Sequence, residues 1–222
     1  TIADPEEHSK TITGISDNWK LIGPDKDSSF SAETDVILST VVGNDRIANF
    51  LKDVSDLNSH SIAFFDSRKE VSELAMNIIG AEDMADAGFY PFKANMEDTD
   101  YQAITEALGQ GKFKGVISTS SLEVGIDIKD LDIAILYGVP VSSTSLYQRM
   151  GRVGRNPNKK AVVIIINDPR SLQSKLVFNN PAKLFSLPLE EPALYLDNKN
   201  LQNVQALHFV DTGEEFESAG GT

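Results

Sequence analysis

Four short apolar runs punctuate the chain: Ile62-Ala63-Phe64-Phe65, Val116-Ile117, Ile133-Ala134-Ile135-Leu136-Tyr137 and Val162-Val163-Ile164-Ile165-Ile166. Each is continuous rather than alternating, the pattern of strands covered on both faces of a parallel sheet. Between them, apolar positions recur at helical spacing. Residues 67–79 place Val71, Leu74, Ala75, Ile78 and Ile79 on one face, with Gly80 as a stop. Residues 99–108 do the same with Ile104, Ala107 and Leu108, and Thr99 suits the N-cap. Two further helices are expected over 145–151 and 169–178, the latter with Asp168 and Pro169 at its N-cap and first turn. Strands alternating with helices predict an α/β fold, an open, mostly parallel sheet with helices on both faces and right-handed crossovers.

The flanks follow this pattern less well. Residues 1–34 mix Gly14, Gly23 and Pro24 with Asp and Ser, and read as irregular chain leading to one candidate strand around Trp19-Lys20-Leu21-Ile22. Trp19 is expected to pack in a core or between domains rather than to stack on a base. Residues 181–222 carry Pro181, Pro188 and Pro192, a helix-like stretch to Val210, and an acidic, glycine-rich end that reads as mobile. The chain thus divides into a leading segment over 1–34, an α/β domain over 35–180 and an extension over 181–222.

Composition narrows the function. With 222 residues and 41% hydrophobic content the chain can bury a sizeable core. A net charge of −13 disfavours nonspecific polyanion binding by the whole surface and excludes a histone-like or membrane-coating role. The absence of cysteine removes disulfides, thiolate catalysis and Cys-ligated metal centres. His8, His60 and His208 lie far apart, in no metal-ligand spacing, so no metal site is expected; His60 and His208 read as surface or packing residues. No apolar run approaches the roughly 20 residues of a membrane span, and no signal peptide opens the chain, so a cytoplasmic protein with no membrane partner is expected. A start at Thr1 without methionine suggests a fragment or a processed chain.

The charge is unevenly spread. Residues 1–100 carry 8 basic and 20 acidic side chains, whereas residues 141–180 carry 7 basic and 1 acidic. An anionic ligand belongs near that basic window. Within it lies Gln148-Arg149-Met150-Gly151-Arg152-Val153-Gly154-Arg155, where three arginines and two glycines would set several permanent forked cations on one side of a helix and its exit turn. This suits polyphosphate; the plainer alternative is a basic surface helix with a glycine C-cap. A second segment, Val116-Ile117-Ser118-Thr119-Ser120-Ser121-Leu122-Glu123-Val124-Gly125-Ile126-Asp127-Ile128, runs from a strand into a hydroxyl-rich turn, then a glycine and an acid. In an open α/β sheet such a turn sits at the carboxyl edge, where ligands bind, although alone it is a commonplace turn. A third, Phe64-Phe65-Asp66-Ser67-Arg68-Lys69, places a hydroxyl and two cations at a helix start, where free N–H groups favour phosphate.

Taken along the chain, from Phe64–Lys69 through Val116–Ile128 to Gln148–Arg155 on alternating strands, the three segments resemble motifs IV, V and VI of the superfamily-2 helicases, over residues 61–167. The resemblance implies a RecA-like fold, specifically the second RecA-like domain, which faces a first such domain across an ATP cleft. Residues 1–14 and 189–209 resemble segments of the subgroup that holds the MrfA-type repair and DISARM phage-defence helicases, with the chain beginning just after motif III. On this likeness Arg152 and Arg155 would be arginine fingers, with Gln148 beside the γ-phosphate. Gly125 and Asp127 would lie near the nucleotide ribose. Ser67, Arg68, Thr119 and Ser120 would contact the backbone of a single strand. The implied substrate is ATP with Mg2+, whose ligands would lie on the first domain. The implied partners are single-stranded or partly duplex nucleic acid, DNA in preference to RNA, a first RecA-like domain on the same or another chain, and an accessory subunit as a further candidate. Relatives carry an arginine in the helix before motif V where this chain reads Asp100-Tyr101-Gln102-Ala103, so that contact is not carried over.

The one Gly-Lys, Gly111-Lys112, is followed by Phe113, so no P-loop is present and no Walker B acid follows a strand. Alone, the chain is expected not to hydrolyse ATP. The rival reading is a noncatalytic RecA-like binding module whose arginines pair with a partner's acids. A different nucleotide-binding α/β enzyme is disfavoured because no Gly-x-Gly-x-x-Gly follows a strand.

Overall fold

The computed structural model describes residues 3–16, 19–23, 26, 32–40, 44–57, 59–67, 88–91, 98–110, 112–119, 131–156, 158–186, 189–190, 198–200, 202–203 and 207. It divides into two compact units, one formed by Ser28–Leu189 and the other by Ile2–Asp27 with Glu190–Thr222.

The larger unit is built on a six-stranded sheet. Its strands are β1 (Thr34–Ser39), β2 (Ser61–Phe64), β3 (Phe89–Pro91), β4 (Gly115–Ser118), β5 (Ile133–Tyr137) and β6 (Ala161–Ile166). They lie in the order β1-β6-β5-β2-β4-β3, and every pairing among the described residues is parallel. Among the described residues the helices of this unit are α2 (Asn44–Ser55), α3 (Asp98–Gly109), α4 (Ser143–Met150) and α5 (Leu172–Asn179), followed by a 3₁₀ turn over Pro181–Phe185. This is the open, parallel α/β architecture that the sequence pattern predicts, and the RecA-like fold that the resemblance implies.

The pleat sends alternate residues to opposite faces, and the continuous apolar runs fill both. Ile62, Phe64, Val116, Ala134, Leu136, Val163 and Ile165 meet Ile104 and Leu108 of α3, Leu146 of α4 and Val177 of α5. On the other face Ala63, Phe65, Ile117, Ile133, Ile135 and Ile166 meet Ile47, Leu51 and Val54 of α2. The central strands β2 and β4 are buried along their whole length, whereas β1, paired only with β6, is exposed at Thr34 and Asp35.

Several boundaries differ from expectation. Helix α3 starts at Asp98, so Thr99 lies inside its first turn instead of capping it. Helix α5 begins at Leu172, with Ser171 as N-cap accepting from the Ser174 N–H at 3.3 Å. Asp168 therefore caps nothing; it is engaged by Arg170 instead. The predicted helix over 67–79 lies outside the described residues beyond Ser67, as do Gly80 and His208.

In the smaller unit, chain expected to be irregular forms helix α1 (Pro5–Thr13). Asp4 accepts from the Glu7 N–H at 3.1 Å, Pro5 fills the first turn, and Gly14 closes the end in the left-handed region at φ 68°. No strand forms over residues 19–23. Trp19 does not sit in a core: it is 39% exposed, and its indole N–H donates to the Ile15 carbonyl at 2.7 Å. Among the described residues no helix is long and apolar enough to cross a membrane.

Candidate nucleotide and nucleic-acid interface

The carboxyl edge of the parallel sheet collects the chemistry-bearing segments, because every strand there ends in the same direction. The register sets Phe64 of β2 opposite Ser118 of β4 on one side and Leu136 of β5 on the other. The Phe65 N–H then donates to the Ser118 carbonyl at 2.8 Å, holding the exits of β2 and β4 together. Asp66 and Ser67 leave β2 here, and Thr119 leaves β4. Ser67 is half-buried and Thr119 is buried. Phe65 and Tyr137 stack at this edge with ring centroids 5.4 Å apart. Arg68, Ser120, Gly125 and Asp127 lie outside the described residues.

Helix α4 follows β5 and carries the arginine-rich segment. Its N-cap Ser142 accepts from the Ser145 N–H at 3.2 Å. Ser143, Leu146 and Arg149, three residues apart, form its buried side. The expectation that all three arginines project from one side therefore needs correction. Arg149 turns inward and is only 3% exposed; its Nη2 donates to Asp66 Oδ1 at 2.8 Å, and its guanidinium carbon lies 5.4 Å from the centroid of the Phe64 ring. A buried guanidinium needs such compensation, since desolvation otherwise outweighs its attractions.

Past the helix the chain tightens. The Arg152 N–H donates to the Arg149 carbonyl at 3.2 Å and Val153 N–H to Met150 at 3.4 Å, both shorter loops than an α-helix closes. Val153 is buried in the core on the face covered by α3, α4 and α5, and anchors the turn. Gly154 then adopts φ +81°, where a Cβ would stand 3.2 Å from Ala161 and 3.3 Å from Ala32. The glycine thus serves chain reversal and close packing, not open access for a ligand. On either side of buried Val153, Arg152 is half-buried and Arg155 exposed; Gln148 is half-buried.

The basic window is less electropositive than its composition suggests. Lys159 Nζ meets Asp132 at 3.2 Å, Lys160 meets Glu33 at 3.1 Å, and Arg149 meets Asp66. All three acids come from outside residues 141–180, so the fold brings negative charge to cations that stand alone in sequence. Arg170 grips Asp168 through two bonds, Nε to Oδ1 at 2.9 Å and Nη2 to Oδ2 at 3.1 Å, and lies over the Tyr137 ring at 5.9 Å. Burial pushes the Asp168 carboxyl up, but the side-chain and backbone hydrogen bonds from Arg170 and its charge together hold it below its ordinary 3.8. A depressed carboxylate contributes stability that is present above its unfolded value and is lost as pH falls through the folded one. The gap in urea midpoint between wild type and Arg170→Ala should therefore be widest near pH 7 and narrow as pH falls through 3.8 and below; a gap that does not narrow would refute the pairing.

The six-stranded parallel sheet with its covering helices is that of a RecA-like α/β domain. Residues 44–157 match the helicase conserved C-terminal domain. The chain belongs to that family, the second RecA-like domain of superfamily-2 helicases. It is 33% identical to an uncharacterized ATP-dependent helicase of Methanocaldococcus jannaschii over 54% of this chain and 17% of that protein. It is 29% identical to the ATP-dependent helicase hrq1 of Schizosaccharomyces pombe over 90% of this chain and 20% of that one. The chain thus spans about a fifth of the length of these curated relatives. The crystal structure of the helicase MrfA bound to DNA and AMPPNP is similar in fold, with a TM-score of 0.71 and 21% identity over 90% of this chain and 29% of that one.

Proposed function

We propose that this chain is the C-terminal RecA-like half of an ATP-dependent helicase or translocase that acts on nucleic acid, DNA in preference to RNA. The observation that carries the reading is the turn after α4, where buried Val153 fixes the backbone between half-buried Arg152 and exposed Arg155. Two permanently charged, forked donors on a rigid turn suit the oxygens of a triphosphate.

In this reading ATP is the substrate, and Arg152 and Arg155 stabilise charge developing on its γ-phosphoryl group, with Gln148 orienting that phosphate or the attacking water. Gly125 and Asp127, outside the described residues, are assigned to the ribose by the family resemblance alone. The first RecA-like domain supplies the P-loop and the acids that hold Mg2+. Ser67, Arg68, Thr119 and Ser120 hold the backbone phosphates of a single strand. Hydroxyls at the carboxyl edge support that role, because strand tracking requires local donors, not a basic protein. That MrfA was crystallised with DNA and AMPPNP supports both ligands. With four of the seven basic residues of the 141–180 window paired to acids, this half should contribute weak strand affinity.

The test is hydrolysis. Joined to a first RecA-like domain with a P-loop, the chain should turn over ATP faster with single-stranded DNA than without it. The 222 residues alone should not. A joined, folded protein without strand-stimulated turnover would leave the noncatalytic module as the better reading.

A further inference from the structure

Strand β1 ends the sheet on one side, paired only with β6 among the described residues. The Ala161 N–H donates to the Glu33 carbonyl at 3.1 Å, and the Asn167 N–H to the Ser39 carbonyl at 2.8 Å. Backbone groups alternate sides along a strand, so Asp35 and Ile37 also turn theirs to β6, while Thr34, Val36 and Leu38 point their N–H and C=O groups to the open side. No proline, lysine or bulge blunts that edge. The side chains beside it are also incompletely covered. Helix α2 buries Ala63, Ile117, Ile133 and Ile135, but Val162 and Ile164 of β6 stay half-buried, and Ile37, opposite Ile164, is 48% exposed. Asp35 lies exposed on the same face, two residues before Ile37. Lys160 is already bonded to Glu33 at 3.1 Å, and that bond with the charges of Glu33 and Asp35 holds its ammonium above the ordinary 10.5. Two acids thus share one cation at the start of the edge.

We infer that β1 is a site of β-strand addition, where an extended segment of a partner protein pairs with Thr34, Val36 and Leu38, apolar where it passes Ile37 and basic where it passes Asp35. The open backbone groups supply affinity, and the alternating side chains supply selection. A second copy of this chain is the poorer occupant, because it brings a net charge of −13 and the same acids to the edge. Strands β6 and β5 separate β1 from the exits of β2 and β4, so a docked partner leaves the proposed nucleic-acid track free. The inference needs neither ATP nor nucleic acid and stands apart from the proposed motor.

The experiment uses the whole chain and a capped peptide, Lys-Thr-Val-Thr-Val-Thr-Lys. In the free chain the amides of Thr34, Val36 and Leu38 should exchange with deuterium about tenfold or more faster than those of Asp35 and Ile37, which β6 protects. The peptide should bind with a Kd below about 1 mM and slow the fast set. Glutamate in place of its lysines should weaken binding about threefold to tenfold, and Asp35→Lys should reverse that preference. Methylating one alternate set of peptide nitrogens should abolish binding, while the other set is tolerated. Val36→Pro removes an outward N–H and no bond to β6, so it should weaken binding about tenfold; should that variant fail to fold, Asp35→Lys carries the test. Equal exchange of the two sets of amides overturns the inference, because the edge is then covered in the free chain. So do the absence of saturable binding and an equal effect of the two methylated sets. A dimer of the chain alone that Asp35→Lys or Val36→Pro disrupts would seat a second copy on the edge and also sink the proposal.

Discussion

Replacing Arg152 by alanine should lower strand-stimulated ATP hydrolysis by about 10³-fold or more in the joined two-domain protein, far more than any change in its folded fraction accounts for. The two halves of that expectation have separate grounds. A cation that meets the γ-phosphoryl group only as charge builds up stabilises the transition state more than bound ATP, so kcat falls and KM moves little. Arg152 is half-buried on a turn held by Val153, Gly154 and backbone bonds, none of which its side chain supplies. The backbone of the turn therefore keeps these anchors in the variant. Arg152→Lys is a sharper probe, since it keeps the charge and loses the fork, and should recover only part of the rate. A rate within about threefold of wild type in Arg152→Ala would remove the finger assignment, and a rise in KM alone would demote the residue to ordinary ATP binding.

The parts of this fold that could be read from sequence are those whose local pattern has one cause. Strands β2, β4, β5 and β6 are covered on both faces, so burial writes them as unbroken apolar runs. Strand β1 has one neighbour and two exposed polar residues, and β3 is three residues long, so neither leaves such a run. Helix α2 carried a usable signal in Ile47, Leu51 and Val54, spaced as one helical face. Helix α1 buries none of its residues, and only its caps, Asp4 with Pro5 and Gly14, could have announced it.

The site shows the same division. The arginine-rich segment and the hydroxyl turns were legible as residue types at fixed spacing. That Arg149 would turn inward was also available, since it stands three residues beyond Leu146 and six beyond Ser143. What no local window contains is the partner. Asp66, Asp132 and Glu33 come to the basic segment from 83, 27 and 127 residues away, and they decide how much positive potential survives.

The largest stability effect is expected at Leu146, one turn before Arg149. Its side chain is fully buried beneath α4, in the cluster that also holds Phe64, Leu136 and Val153. Leu146→Ala removes three carbons from a site framed by two strands and the arginine turn, which can collapse only if the helix moves. The cost should be about 2 to 5 kcal/mol, a large share of the roughly 5 to 15 kcal/mol that holds a domain together. In a two-state unfolding curve this is a fall in Tm of roughly 5 to 15 °C. Hydrolysis by the joined protein at low temperature should track the fraction folded, with KM for ATP unchanged, the opposite signature to Arg152→Ala. A loss below about 1 kcal/mol would mean that α4 is not seated on the sheet through this residue. The turn that positions the arginines would then need another anchor, and Val153→Ala would be the variant to carry the cost.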